Sequence, residues 1–408
     1  MKTWMTASLL ALATAAATAA TPLAGRWDAT VVTATGFEVP FRFEIAGSGA
    51  EAKASFFDGD KRITSTATRV SDTGVAFTFD QYGAILDLTV KDDELDGKYN
   101  RGSRPSYTFH AKRYVPPARP TGDVPPIDGL WKISLPDESL KDSKGEKAWR
   151  LIVHQSGPQV TAAILRVDGD TGTLTGVYKD GKFVLSHFSG ARPSVFEVTP
   201  AKDGSLDILQ NTKTKLTAVR LDDPRAKELP DPTDPSKHTK VKDTTARFTF
   251  NFPDLNGKPV ADTDPRFQNK VVLVSITGSW CPNCRDEAPF LASLYKKYRK
   301  QGFEIVALAF EEQDVLQNPT RLRNFIKEFG IEYPVLLAGE PEQLKEKVPQ
   351  GDNLNAFPTA FLLGRDGKVR SVHAGFPSPA SGKFYTQAQQ ELTSQIERLL
   401  SERPAGTQ

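Results

Sequence analysis

Cysteine is nearly absent: the 408 residues hold two, Cys281 and Cys284. One pair cannot staple a small secreted scaffold, which uses several. Nor does it complete a zinc site, which takes four ligands. The five histidines, His110, His154, His187, His238 and His373, are scattered, so no metal site is expected. No charge of one sign dominates either. The 52 basic and 50 acidic residues leave a net charge of +2, which gives nucleic acid no electrostatic foothold. Long apolar runs are also missing. The Ala/Leu run from Ala7 to Ala20 is too short and alanine-rich to span a bilayer, and nothing later approaches a span.

That early run follows Lys2 and ends in a small-residue pattern, Ala17-Thr18-Ala19, just before Ala20-Thr21-Pro22. It reads as a signal peptide over residues 1–20, with a retained signal anchor as the alternative. The expected location is periplasmic or otherwise extracytoplasmic. No cysteine follows the run to carry a lipid. At this length the chain should hold two to three domains.

The two cysteines stand three apart in Trp280-Cys281-Pro282-Asn283-Cys284. Upstream, Lys270 to Val274 reads as a buried strand. Downstream, Arg285 to Lys300 carries Ala288, Leu291, Leu294, Tyr295 and Tyr298 in a helical rhythm. Cys-x-x-Cys at a strand-to-helix junction is a redox arrangement. Cys281 falls at the helix N-terminus, where unpaired N–H groups and the dipole favour a thiolate. Two other readings compete: a structural disulfide, whose short loop constrains little unfolded-chain entropy, and a peroxidatic cysteine beside Thr277. In a disulfide exchanger, Cys281 is the exposed nucleophile and Cys284 the buried partner that resolves the mixed disulfide. Pro282 and Asn283 then tune the pair. The redox-active disulfide itself replaces any bound cofactor.

Residues 245–400 resemble the thioredoxin-like TlpA/ResA family of extracytoplasmic thiol–disulfide oxidoreductases. The resemblance rests on several segments in order. Phe252 to Val260 is similar to the family's opening hairpin, and Trp280 to Pro289 to its Trp-Cys-x-x-Cys-x-x-Glu-x-Pro signature. Phe303 to Leu308 reads as the next strand. Phe357-Pro358-Thr359 resembles the cis-proline loop, and Arg365 to Lys368 a hairpin turn. The resemblance implies that Phe357 and a cis Pro358 offer an edge to an extended substrate, with a trans proline as the plainer alternative. It implies that Glu287 moves the proton of the buried thiol; otherwise Glu287 is a first-turn acid complementing the helix dipole. Trp280 shields the disulfide and contacts substrate, or simply packs. One departure is Ser275, which stands where thioredoxin keeps a buried aspartate, six residues before the first cysteine. That puts more weight on Glu287.

The first half is a duplication. Leu23-Ala24-Gly25-Arg26-Trp27 parallels Ile127-Asp128-Gly129-Leu130-Trp131, and Asp58-Gly59-Asp60 parallels Asp168-Gly169-Asp170. Leu86 to Val90 parallels Phe196 to Pro200, with Pro136 to Glu146 as an inserted loop. Short alternating runs between Gly/Asp turns give about eight strands per copy. Two antiparallel β domains follow, 21–115 and 127–221, each a barrel or sandwich and most simply a lipocalin-like barrel. Trp27 and Trp131 would plug the barrel floors. Residues 222–243, rich in Pro, Lys and Asp, read as a solvated linker. No catalytic or metal constellation is visible in residues 21–240.

The expected protein is therefore an extracytoplasmic thiol–disulfide oxidoreductase. Its partners are disulfide-containing or dithiol proteins and a membrane-bound electron donor or acceptor. By resemblance, reduction, as in cytochrome c maturation, is favoured over oxidative folding. The alternative is a cell-envelope ligand-binding protein in which the β modules bind and the thioredoxin-like domain is a scaffold.

Overall fold

The computed structural model describes residues 23–91, 93–116, 123–135 and 144–402. The expected signal peptide and most of the inserted loop fall outside them. Among the described residues the first repeat forms nine antiparallel strands. They are β1 (Gly25–Val32), β2 (Glu38–Ala46), β3 (Lys53–Asp58), β4 (Lys61–Thr64), β5 (Ala67–Ser71), β6 (Gly74–Phe79), β7 (Ala84–Lys91), β8 (Glu94–Arg101) and β9 (Arg104–Arg113). The second adds β10 (Gly129–Ser134), β11 (Ala148–Ser156), β12 (Gln159–Arg166), β13 (Gly169–Asp170), β14 (Leu174–Lys179), β15 (Lys182–His187), β16 (Ser194–Pro200), β17 (Leu206–Gln210) and β18 (Thr214–Arg220). The alternation seen in the sequence sets the inner face: Val39, Phe43 and Ile45 of β2 are buried beside Trp27, Ala29 and Val31 of β1.

The two repeats differ in closure. In the second, the order β11-β10-β18-β17-β16-β15-β14-β12 is completed by β11 pairing β12, which closes an eight-stranded up-and-down barrel. In the first, β9 pairs β1 but the ends of the sheet, β4 and β5, leave a seam. Side-chain bonds bridge it in part: Lys53 Nζ reaches the Thr66 carbonyl at 3.1 Å, and Thr68 Oγ1 that of Ala52. Both interiors are filled by side chains, Trp131, Leu151, Phe183 and Phe196 among them in the closed barrel.

The tryptophans do plug the floors. Trp27 Nε1 donates to the Leu23 carbonyl at 3.1 Å, and Trp131 Nε1 to that of Ile127 at 2.9 Å. Arg113 and Arg220, from the last strand of each repeat, lie over the two indole rings at 4.0 and 4.4 Å.

The C-terminal region adds β19 (Lys240–Val241), β20 (Asn251–Pro253), β21 (Pro259–Ala261), β22 (Val271–Thr277), β23 (Phe303–Phe310), β24 (Val335–Gly339), β25 (Gly351–Asp352), β26 (Thr359–Leu363) and β27 (Val369–Ala374). Its helices are α1 (Pro235–His238), α2 (Pro282–Tyr298), α3 (Gln313–Gln317), α4 (Thr320–Phe329), α5 (Leu344–Lys347) and α6 (Lys383–Ser401). The sheet runs β24-β23-β22-β26-β27, with β22, β23 and β24 parallel and β26 and β27 antiparallel. Both faces are covered, which explains the unbroken apolar run of β22. The active-site helix begins three residues earlier than its apolar rhythm suggests. Cys281 is its N-cap and Pro282 occupies the first turn, where a missing N–H costs nothing.

The segment 222–243 stays largely exposed, as its composition suggests, but it is tethered to both neighbouring domains. Lys132 Nζ reaches Asp231 Oδ1 at 2.7 Å and the Ala226 carbonyl at 2.8 Å. His238 Nε2 meets Asn355 Oδ1 at 2.7 Å, and β19 pairs β25. Of its charges, Asp231 and Arg225 pair with Lys132 and Asp203 of the second barrel, and Lys237 pairs with Asp234 within the segment.

Candidate redox site

The dithiol sits where β22 turns into α2. Cys281 and Cys284 are both free thiols. The Cys284 N–H donates to Cys281 Sγ at 3.2 Å, so the helix N-terminus does face the first sulfur. Cys281 Sγ also lies 3.5 Å from the Phe357 carbonyl. The Phe357–Pro358 bond is cis. Trp280 is held by its Nε1 bond to the Phe310 carbonyl at 2.9 Å, and its ring meets Phe357 edge-on at 5.2 Å.

Behind the helix, Cys284 and Glu287 point into the interior. Burial, then the contact with Cys281, pushes the Cys284 thiol well up. Glu287 is 3 % exposed. Burial raises its carboxyl to about 8, with the hydrogen bond from Ser275 Oγ to Oε2, at 3.1 Å, a weaker opposing effect. Ser275 thus touches the carboxylate that the sequence reading set in place of the missing aspartate. Cys284, Glu287, Ser275 and Thr277 line one small cavity of about 10 Å³, near the minimum for a water.

In front of the helix the arrangement departs from expectation. Cys281, read as the exposed sulfur, is 3 % exposed, with the Phe357 carbonyl against its sulfur and the second barrel facing it across a crevice. Asn283 Nδ2 donates to the Asp168 carbonyl at 2.5 Å, and Asn283 Oδ1 accepts from Arg192. Arg192 also bonds Asp286 Oδ2 at 3.2 Å, and Lys61 of the first repeat approaches Asp286 at 3.7 Å. Burial disfavours the Arg192 charge, but Asp286, Asp170 and Asp58 more than offset that and hold its pKa above the ordinary value. Asp170 accepts from Ser378 N at 2.7 Å and Ser381 Oγ at 2.5 Å, fixing the barrel to the redox domain. Arg285 Nη1 reaches the Gln81 carbonyl of the first repeat at 3.3 Å.

One connection organises this face. Between β15 and β16, Phe188 inserts into the core of the first repeat, 4.9 Å from Phe41 and 5.2 Å from Phe56. Gly190 follows with φ +89°, and a Cβ there would meet the Tyr82 ring at 2.7 Å. Two residues on, Arg192 enters the redox site. None of this was legible as function. The Asp-Gly-Asp repeat served to mark the duplication, yet both turns face interfaces: Asp58 accepts from Thr173 N at 2.7 Å, and Asp168 and Asp170 grip the redox domain.

Comparison with known proteins follows the same division. Residues 237–386 match the Redoxin family. Over 134 residues the chain is 33 % identical to the thiol-disulfide oxidoreductase ResA of Bacillus cereus, covering 33 % of this chain and 70 % of the relative. The chain belongs to the ResA family of thiol–disulfide oxidoreductases. ResA of Bacillus subtilis is 32 % identical over 126 residues, 31 % of this chain and 64 % of that one. A solved structure of a thiol:disulfide interchange protein of the thioredoxin family from Chlorobium tepidum is 26 % identical, covering 40 % of this chain and all of that one, with a TM-score of 0.31. The β repeats precede the region that matches ResA. Among the described residues no helix is long and apolar enough to cross a membrane.

Proposed function

We propose that this ResA-family protein works outside the cytoplasm and reduces disulfides of partner proteins through Cys281 and Cys284. The observation that carries the reading is the asymmetry of the two thiols. One caps a helix N-terminus beside a cis-proline loop, and the other is buried beside a carboxyl raised to about 8. Cys281 thiolate attacks one sulfur of the partner disulfide, and the other leaves as a thiolate. Cys284 gives its proton to the Glu287 carboxylate and attacks Cys281 Sγ, releasing the partner's second sulfur. The partner gains two electrons, and the protein is left with a Cys281–Cys284 disulfide. A carboxyl raised to about 8 suits this exchange, because burial moves its proton affinity toward that of the Cys284 thiol, which burial also raises. Electrons return from a membrane-bound donor, and proteins of cytochrome c maturation are the partner class that the resemblance implies. The filled interiors of both β modules speak against a ligand-binding barrel.

The test is a Cys284→Ser variant of the full chain, which should arrest at the mixed disulfide. Trapped partners from the cell envelope, together with loss of insulin reduction driven by dithiothreitol, support the reading. A variant that still turns over, or traps nothing while Cys281 stays reactive, rejects it.

A further inference from the structure

The second barrel builds the far wall of the passage that leads to the dithiol. Cys281 lies at the end of a crevice of about 370 Å³, with Trp280 and Phe357 on one side and Thr171, Ser194, Gln210 and Asn211 on the other. That volume is typical of a site for a small ligand or a short stretch of chain, roughly 300–1,000 Å³. Cys281 is 3 % exposed at its end, so a disulfide held flat on a folded surface does not reach the sulfur. An extended strand is narrow enough, since neighbouring strands lie about 4.8 Å apart.

The walls carry groups that suit a polypeptide backbone. Ser194 Oγ is buried and has no hydrogen-bond partner among the described residues, a condition that native proteins rarely leave unexplained. It stands at the start of β16, two residues past Arg192, so its position is fixed by the same connection that reaches Asn283. Opposite it, the Phe357 carbonyl is met by the Cys281 sulfur at 3.5 Å, a long contact that leaves an acceptor for an incoming N–H. One unsatisfied hydroxyl and one weakly engaged carbonyl thus flank the path to the sulfur.

We infer that the crevice between the second barrel and the dithiol is a substrate subsite for an extended, single-strand polypeptide segment carrying the disulfide, with Ser194 hydrogen-bonding that segment. This rests on the disulfide-exchange reading and sharpens it. The substrate offers its cystine on an unfolded or flexible stretch, and a disulfide held flat on a folded surface is excluded.

The experiment uses the reduced full-length protein and two substrates of matched reduction potential. One is a blocked six-residue peptide disulfide; the other is a compact folded protein with a surface disulfide. Rates are normalised to those of dithiothreitol on the same substrates. The peptide should react at least tenfold faster than the folded protein. Ser194→Ala should raise KM for the peptide about five- to tenfold with kcat changed less than twofold. Ser194→Trp, which fills the crevice, should lower kcat/KM at least fiftyfold. Ser156→Ala, on the groove between the two barrels, should change nothing. Equal normalised rates on the two substrates would overturn the inference, as would an unchanged KM in Ser194→Ala. Ser194→Ala stays informative if the tryptophan variant fails to fold, because its hydroxyl supports no bond in the free protein. Wild-type protein that reduces neither substrate would instead remove the disulfide-exchange reading on which the subsite depends.

Discussion

On its outer face the first turn of α2 presents Asn283 and Asp286 to Arg192, Lys61 and the Asp168 carbonyl. On its inner face it presents Cys284 and Glu287 to Ser275 and a shell of apolar side chains. Both faces are buried, and both hold carboxyl groups. The outer carboxyl, Asp286, is met by two cations, Arg192 and Lys61, one from each β repeat. Among the described residues the inner one, Glu287, is bonded by a single hydroxyl, that of Ser275. A network in which each buried charge has a partner holds domains in register. A buried carboxyl with so little support holds its proton to a higher pH. The contrast sets a cross-domain network and a lightly supported buried carboxyl within about one helical turn.

The largest expected effect tests the outer face. Asp170 is fully buried and accepts bonds from Gly172 N, Ser378 N and Ser381 Oγ, with Arg192 at 3.9 Å. Asp170→Ala strands those donors and a buried cation, and should lower stability by about 3 kcal/mol. Asp60, its counterpart in the first repeat, is exposed, and Asp60→Ala should stay within about 0.5 kcal/mol. Equilibrium denaturation of the full chain measures both. Equal losses would mean that the outer network holds nothing together.

How much of this was visible in the sequence depends on the distance over which each part is encoded. Pro358 and Glu287 stood out only through the family resemblance, whereas the dithiol, its strand and its helix lie in segments whose periodicity or spacing carries the signal. The Trp27 and Trp131 floors were legible for the same reason, since each indole bonds a carbonyl four residues back. Closure of one barrel and not the other was hidden, because it depends on whether β11 and β12 meet while β4 and β5 do not. Arg192 was hidden more deeply. Its role comes from Phe188 anchoring in one domain and Asn283 waiting in another, 91 residues further along the chain. Nothing local distinguishes that arginine from a solvated one. The exposed Cys281 expected from its helix-capping position failed because the Phe357 loop, 76 residues further on, closes against its sulfur.

The inner face predicts a pH signature. The Glu287 carboxyl titrates near 8 in the folded protein and at about 4.3 when unfolded. Because the folded pKa is the higher one, its contribution to stability is complete below about 4.3 and is lost as pH rises through about 8. The slope between is about 1.4 kcal/mol per pH unit. Glu287→Gln should flatten that slope and slow disulfide exchange about a hundredfold, the low end of general acid–base effects. Urea denaturation at pH 5 and pH 8, alongside exchange kinetics, would check both. A variant with the wild-type slope would return Glu287 to the first-turn role of complementing the dipole.

The smallest effect concerns the hydroxyl that separates the inner carboxyl from complete isolation. Ser275 Oγ donates to Glu287 Oε2, a bond that favours the charged form and so opposes the burial that raises the carboxyl. Ser275→Ala removes that opposition, and the folded pKa of Glu287 should climb further. Exchange that depends on the Glu287 carboxylate should then need a more alkaline solution: the inflection in its pH–rate profile moves up by up to about one unit, equivalent to about 1.4 kcal/mol. The maximal rate is preserved, because the proton acceptor itself remains. Ser275→Asp, which restores the residue that thioredoxin keeps at this position, places a second carboxyl beside the first and should split the profile into two steps that belong to the pair. An inflection that stays in place in Ser275→Ala would mean that the hydroxyl packs against Glu287 without tuning it, and the inner face would then rest on burial alone.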